Sequence, residues 1–250
     1  MSSFVWRVEH FNEIDSTNTY LKELLTNDLD EGLVVLADFQ RAGRGRLDRT
    51  WSSPPRASLL CSILLRPPIQ AGQLQLVVAA VALSIRVALE RLSGLRAQLK
   101  WPNDLVVGDN KLAGLLAEVI ETSSGFAVVV GLGVNLTFDG PDDVPATSVR
   151  RETGLTIVPR ALLDIVLEEL EVRRLQLESN EGRATLRSEY ERALATLGVL
   201  VRVEQADRSF VGRAQGVDAE GRLLVEVEGE VMTFDVGDVV HVRAHESERA

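Results

Sequence analysis

Between Gln40 and Arg66 the chain carries six arginines against one acid, Asp48, although its 250 residues sum to a formal net charge of −10. The charge is densest in Gln40-Arg41-Ala42-Gly43-Arg44-Gly45-Arg46-Leu47-Asp48-Arg49-Thr50-Trp51, on a glycine-rich backbone. A guanidinium is always charged and presents a planar fork of donors suited to carboxylate and phosphate oxygens, while glycine lets backbone N–H groups approach a ligand closely. This combination suits capture of an anion, and a phosphate-bearing small molecule is the simplest one. On composition alone a basic surface loop without a ligand fits equally well. Two standard phosphate loops are excluded. Gly43-Arg44-Gly45 is followed by neither the lysine nor the hydroxyl of a P-loop. A dinucleotide fingerprint needs a third small residue and an apolar helix, but here Leu47-Asp48-Arg49 leads to Trp51-Ser52-Ser53-Pro54-Pro55.

Four more blocks could do chemistry, and each has an ordinary reading beside it. In Asp15-Ser16-Thr17-Asn18 the hydroxyls cap a helix start, and a helix N-terminus can also hydrogen-bond a neutral polar ring. In Lys100-Trp101-Pro102-Asn103-Asp104 the Pro-Asn-Asp run suits a type I turn, with Trp101 as packing. Lys111, heading Lys111-Leu112-Ala113-Gly114 after the turn Gly108-Asp109-Asn110, is by itself a solvated lysine. Asn135, ending Gly131-Leu132-Gly133-Val134-Asn135, is either a nucleotide contact or a buried amide satisfying a bend. Trp51 either stacks under the arginine loop or anchors its far end in the core.

The elements that must hold these blocks follow from periodicity. Val5 to Ile14 reads as a strand, Asn18 to Leu25 as a helix, and Leu33 to Ala37 and Leu59 to Leu65 as apolar strands that grip the arginine loop at both ends. Leu74 to Leu92 is a deeply buried helix. Gln98 to Lys100, Leu105 to Val107, Leu112 to Ile120 and Phe126 to Val134 form a strand meander, so an antiparallel or mixed sheet is expected. Pro141 to Pro145 is a loop, and helices run from about Pro159 to Leu177 and Arg183 to Leu197. After Gly198 short alternating strands with glycine turns take over: Val199-Val201-Val203, Phe210-Val211-Gly212, Asp218-Ala219-Glu220-Gly221, Leu223-Val225-Val227 and Val239-Val240-Val242. They read as a small β-barrel packed on the main body, which divides the chain into 1–197 and 198–250.

All five blocks resemble those of the biotin protein ligases, in the family's order and at similar spacing, from about Val8 to Arg243. The resemblance implies an α+β fold with a class II synthetase-like mixed sheet, helices on one side, and a C-terminal SH3-like β-barrel. It implies two steps, in which biotin and ATP give biotinyl-5′-AMP and a lysine of a biotin carboxyl carrier protein then takes the biotinyl group. Lys111, Arg44 and Arg46 would supply positive charge, and Asp104 would hold Mg²⁺ through water or orient Lys111. Arg46 would retain the intermediate, and the glycines would leave the loop mobile until it closes over the adenylate. Ser16, Thr17, Asn18 and Gln40 would read the ureido ring, with Leu115 and Val129 over its hydrocarbon part. Gly43, Gly45, Arg49, Trp51, Asn103, Gly114 and Asn135 complete the implied biotin and ATP contacts. Two departures stand out. Arg41 replaces a frequent glutamine, and Asp48 puts an acid inside the loop.

Composition sets further bounds. With 45% hydrophobic and 26% charged residues the chain reads as a globular protein without signal peptide or membrane span, hence cytoplasmic. The single Cys61 is a structural thiol, and His10, His241 and His245 lack metal spacing. Net acidity and only 15 residues before Ser16 argue against DNA binding. A homodimer stays open. The rivals are a lipoate or octanoyl ligase or transferase, which would not need this loop, and a non-catalytic biotin-binding protein. An RNA-binding barrel is disfavoured by the acids of 199–243.

Overall fold

In the computed structural model residues 4–25, 29–205, 208–235 and 237–241 are described. Seven strands, β1 (Arg7–Phe11), β2 (Leu33–Ala37), β3 (Ser58–Leu65), β4 (Gln98–Lys100), β5 (Asp104–Val107), β6 (Asn110–Thr122) and β7 (Gly125–Asn135), form one sheet in the order β1-β2-β3-β7-β6-β5-β4. β1 and β2 are parallel and every other pair is antiparallel, so the sheet is mixed as expected.

Strand alternation sorts the residues of this sheet onto two different faces. On β7, Val128, Val130, Leu132 and Val134 enter the main core, which they share with α2 (Leu74–Ser93), α4 (Pro159–Gln176) and α5 (Asn180–Ala193). Ala127 and Val129 face the other way, into a smaller cluster with Leu21 and Leu25 of the first helical segment, α1 (Thr17–Leu24). Continuing along that second face, the next side chains would come from Gly131 and Gly133. The sheet therefore turns from packed to bare just beyond α1.

The structure departs from the sequence expectations at short elements. α3 (Val149–Thr153) was not anticipated, since five residues show little more than one helical turn of periodicity; Ser148 caps its start and Gly154, at φ 75°, ends it. α5 begins earlier, where Ser179 Oγ accepts from Gly182 N at 3.0 Å, and stops at Ala193 rather than Leu197. The C-terminal strands β8 (Leu200–Gln205), β9 (Arg208–Val217), β10 (Leu223–Val227), β11 (Glu230–Phe234) and β12 (Asp238–His241) form an antiparallel sheet ordered β11-β10-β9-β8-β12. Asp218–Gly221 is the turn between β9 and β10, closed by Gly221 N to Asp218 O at 3.1 Å. β11 was missed because its pattern is weak; Glu228 and Gly229, at φ 53° and 89°, make the tight hairpin turn before it. The expected strand end at Val242 lies outside the described residues.

The two sheets share one core, which includes Val201, Val203, Leu223 and Phe234. Trp101 is at the junction and fully buried; its N donates to Thr196 Oγ1 (3.1 Å) and its Nε1 to Gly221 O (3.2 Å). Among the described residues no helix is long and apolar enough to cross a membrane. Trp101→Phe keeps most of the ring and deletes the donor to Gly221 O, so stability in urea should fall by about 1–3 kcal/mol. A midpoint equal to that of the wild type would mean that this bond adds nothing.

Candidate active site

A cavity of about 500 Å³ opens over the bare stretch of the first sheet, between the start of α1, the arginine loop, the segment 140–146 and β12. Its floor is made by absent side chains. Gly114 of β6 pairs with Gly133 of β7, and Leu116 pairs with Gly131. A Cβ at Gly133 would lie 2.3 Å from Trp51 Cε2, and one at Gly131 would lie 2.1 Å from Asn18 Oδ1. One at Gly114 would lie 3.0 Å from Lys111 Nζ. Close approach therefore favours glycine at 131 and 133, where Asn18 and Trp51 rest on the sheet itself, while at Gly114 the Lys111 end and Trp51 would need to give only slightly.

One end of the cavity is polar and neutral. Ser16 caps α1 by accepting from Thr19 N at 3.4 Å, so the capping and cavity-lining readings of this block coexist. Thr17 donates both N–H and Oγ1–H to Gln40 Oε1, at 2.8 and 3.0 Å. Ser62 of β3 lies 2.6 Å from Thr17 Oγ1 and 2.5 Å from Asn18 Oδ1. Asn18 Nδ2 donates to Glu118 Oε2 (2.9 Å) and Leu116 O (3.3 Å). Ser62, Leu116 and Glu118 were missed by sequence reasoning. Their signal was only parity, the alternate positions of strands whose other face is core.

The opposite end is charged. Lys111 reaches it because the β5–β6 register slips: Leu105 pairs with Ala113, yet Val106 pairs with Lys111, leaving Leu112 as an extra residue. Without this bulge Lys111 would share the core-facing parity of Ala113 and Leu115. Lys111 Nζ lies 2.7 Å from Asp104 Oδ1 and 5.7 Å from the centre of the Trp51 ring. The backbone of Lys111 bonds Pro145 O and Thr147 N, both at 2.9 Å, which fixes the 140–146 wall. Asn103 Nδ2 donates to Leu115 O at 2.6 Å. Asn135 is buried and donates to Thr147 O at 3.1 Å, the bend-satisfying role, while also lining the cavity.

The arginine loop carries its own ladder. Gly45 N donates to Arg49 O (2.7 Å), Arg49 N to Arg46 O (3.1 Å) and Trp51 N to Gly43 O (2.9 Å). At its tip Leu47 and Asp48 have φ of 52° and 57°, unfavourable for leucine. Each arginine meets a carboxylate or carbonyl. Arg44 Nη2 is 2.9 Å from Glu118 Oε2. Arg46 donates to Asn103 Oδ1 (3.1 Å) and Gly237 O (3.2 Å) and stands 3.5 Å from Asp238 Oδ1. Arg49 pairs with Asp238. Burial pushes the Glu118 carboxyl up, but hydrogen bonds from Lys22 and Asn18 and the Arg44 charge outweigh it and hold the group below the usual carboxylate range.

Of the residues singled out from sequence, Ser16, Thr17, Asn18, Gln40, Arg44, Gly45, Arg46, Arg49, Trp51, Asn103, Asp104, Lys111, Gly114 and Asn135 all line this cavity. Gly43 does not; it sits behind the loop, where a Cβ would meet Trp51 O at 2.4 Å. Leu115 also lines the cavity, although its side chain packs in the main core; Val129 lies in the α1 cluster and does not line it, and Leu60, Leu116 and the glycine floor make up the rest of the apolar surface. Arg41 pairs with Glu13 and Asp15 instead. Among the described residues no three His, Cys, Asp or Glu gather to hold a metal ion, and Asp104 is already paired with Lys111.

Gly133→Ala should drive the Trp51 indole off the floor. The expected cost is about 1–3 kcal/mol in denaturant unfolding, as for an overpacked core, with a changed near-UV tryptophan signal. A variant with the stability and signal of the wild type would show that Trp51 is not seated there.

Comparison with known proteins agrees with this arrangement. The Biotin/lipoate A/B protein ligase family model matches residues 10–135, and that of the Biotin protein ligase C terminal domain matches 196–242. A biotin--[acetyl-CoA-carboxylase] ligase of Mycobacterium tuberculosis is 34% identical over 95% of this chain and 90% of its own length. A protein of the same name from Paracoccus denitrificans is 33% identical over 84% of this chain and 90% of its own length. The solved biotin protein ligase from Aquifex aeolicus in complex with biotin and ATP has a TM-score of 0.81 at 27% identity, covering 95% of this chain and 99% of that one. On these matches the chain belongs to the biotin/lipoate A/B protein ligase family, among its biotin protein ligases.

Proposed function

We propose that this protein is an ATP-dependent biotin protein ligase, which activates biotin as biotinyl-5′-AMP and transfers it to a lysine of a biotin carboxyl carrier domain. The observation that carries the reading is one cavity with a neutral hydrogen-bonding end, a bare apolar floor and a cationic end. A fused ring with a ureido edge suits Ser16, Thr17, Asn18 and Gln40. A hydrocarbon chain suits the floor at Gly114, Gly131, Gly133 and Leu116. A carboxylate then reaches Lys111, Arg44 and Arg46.

In the first step a biotin carboxylate oxygen bonds to the α-phosphorus of ATP and the bond to the β-phosphate oxygen breaks, releasing pyrophosphate. Both reactants are anions, so positioning and preorganised positive charge provide most of the acceleration. Lys111, oriented by Asp104 at 2.7 Å, is placed for the charge that gathers on the phosphoryl oxygens. In the second step an uncharged carrier lysine attacks the biotinyl carbonyl, AMP leaves, and the amine proton is lost to solvent. Arg46, tied at one side to Asn103 and Gly237, covers the adenylate and keeps water from the mixed anhydride. Arg49, Trp51 and Asn135 complete the nucleotide side. Mg²⁺ enters with the ATP phosphates, because Asp104 alone is a thin metal site.

The 1–197 segment supplies the catalytic body and 198–250 the SH3-like unit. The reading places the protein in the cytoplasm with ATP and the carboxylases. The deciding experiment incubates the protein with ATP, Mg²⁺, a carrier domain and either biotin or lipoate, read by intact mass. A biotinyl adduct only is expected; a lipoyl adduct alone would transfer the reading to the lipoate branch.

Lys111→Ala should lower pyrophosphate release by about 10²–10³-fold with a much smaller loss of biotin binding, since its charge acts mainly in the transition state. Rates equal to wild type would return Lys111 to a solvated turn. Arg46→Gly should still form the adenylate but release it, with about 2–4 kcal/mol lost from retention. Labelling of bystander lysines is the measure, and labelling confined to the carrier would refute the role.

A further inference from the structure

Glu118 is an acid on the same sheet face as the cavity floor, just beyond the residues that line a cavity built to receive anions, which calls for an explanation. It stands on β6 two residues beyond Leu116 and four beyond Gly114, on the same face, and is paired in register with Val129. Three groups converge on its carboxylate: Lys22 Nζ at 2.7 Å, Asn18 Nδ2 at 2.9 Å and Arg44 Nη2 at 2.9 Å. Those partners come from separate places, the buried first turn of α1, its half-buried last turn, and the arginine loop. The carboxylate is the only group that touches both Asn18, at the neutral end, and Arg44, at the charged loop, among the described hydrogen bonds.

Its effect on Asn18 is geometric. A carboxylate only accepts, so it fixes Nδ2 as the atom turned toward β6, where Leu116 O accepts as well. Oδ1 is thereby turned toward Ser62 and over Gly131, with one lone pair left for a donor in the cavity. Its effect on Arg44 is electrostatic. With two cations against one anion, the cluster keeps a net positive charge, and Arg44 is held beside the cavity instead of swinging freely.

We propose that Glu118 is a positioning residue for biotin: it sets the orientation of the Asn18 amide and holds Arg44 where the ligand's carboxylate arrives. This deepens the function proposed above and rests on it. Glu118 touches no reacting atom, so its signature belongs in binding of one substrate. Glu118→Ala should raise the Kd and KM for biotin about ten- to a hundredfold, the loss of a charge-assisted pair of contacts. The KM for ATP should stay within about twofold and kcat within about threefold, because Lys111 and Arg46 are untouched. Glu118→Gln, which keeps one acceptor for Asn18 but not the charge, should recover about half of the logarithmic loss.

The measurement is calorimetric biotin binding together with pyrophosphate release, on full-length wild type and both variants, with thermal unfolding recorded for each. If wild type fails to bind biotin, the proposed function and this inference fall together. If wild type binds and Glu118→Ala binds equally well, the inference alone is wrong. A uniform fall in biotin affinity, ATP KM and kcat, or a loss of active fraction with unchanged constants, would assign Glu118 a structural role only and overturn it. Should Glu118→Ala not fold, Glu118→Gln carries the test: unchanged biotin affinity or equal losses for both substrates would refute the proposal.

Discussion

The arrangement depends on a patch of sheet that has no side chains. Gly114 and Gly133 face each other across β6 and β7, and Gly131 follows at the next same-face position. A packed sheet face normally meets its neighbour through a layer of side chains, with stacked sheets about 10 Å apart, yet at this patch the backbone itself is the surface. That gives Trp51 and Asn18 room to lie within the depth a single methyl would occupy. The cost is small because neighbouring positions compensate. Val130, Leu132 and Val134 are buried on the opposite face, so β7 stays anchored although alternate residues contribute nothing to packing.

The charged groups obey a different constraint. An anion site needs cations in place beforehand, but cations in a concave, partly dry site repel one another. Here each is matched to an acid from another element: Lys111 to Asp104, Arg44 to Glu118, and Arg46 and Arg49 to Asp238. The acids are half-buried while Arg44 and Arg49 stay exposed, so the attraction within each pair is largely offset by screening and desolvation. Bidentate contacts with phosphate or carboxylate are stronger once a ligand excludes water. The acids therefore hold the arginines near their working positions until a ligand excludes water and adds its own contacts.

Much of this was legible in the sequence, and the illegible part has physical reasons. Long periodic segments such as α2, β3 and β7 could be read within a residue or two, because burial on one or both faces imposes apolar runs that turns interrupt. The five blocks marked the cavity because close approach, capping and charge each demand particular residue types. Lys111 was readable as a candidate, but its aim was not, since that depends on the one-residue bulge at Leu112. Glu118 and Ser62 looked like ordinary alternation in β6 and β3. The partner of Arg49 lies 189 residues away, a pairing that no local pattern encodes. The loop's internal ladder was equally hidden, because glycine content signals freedom of the chain and says nothing of the bonds that use it.

That long-range pairing changes how the C-terminal sheet should be regarded. Its strands would make a small, weak core alone, and alternation by itself suggests an appended module. Instead its apolar residues continue the main core, Gly221 receives the Trp101 indole, and the entry to β12 brings Gly237 O and Asp238 to the arginine loop while Val239 and Val240 line the cavity. The loop is therefore suspended between two sheets, with Arg44 fastened to β6 and Arg46 and Arg49 fastened to β12. Neither sheet alone could set the spacing of the three guanidinium groups. Their geometry, and hence the site's fit to an anion, is set by the packing of one sheet against the other.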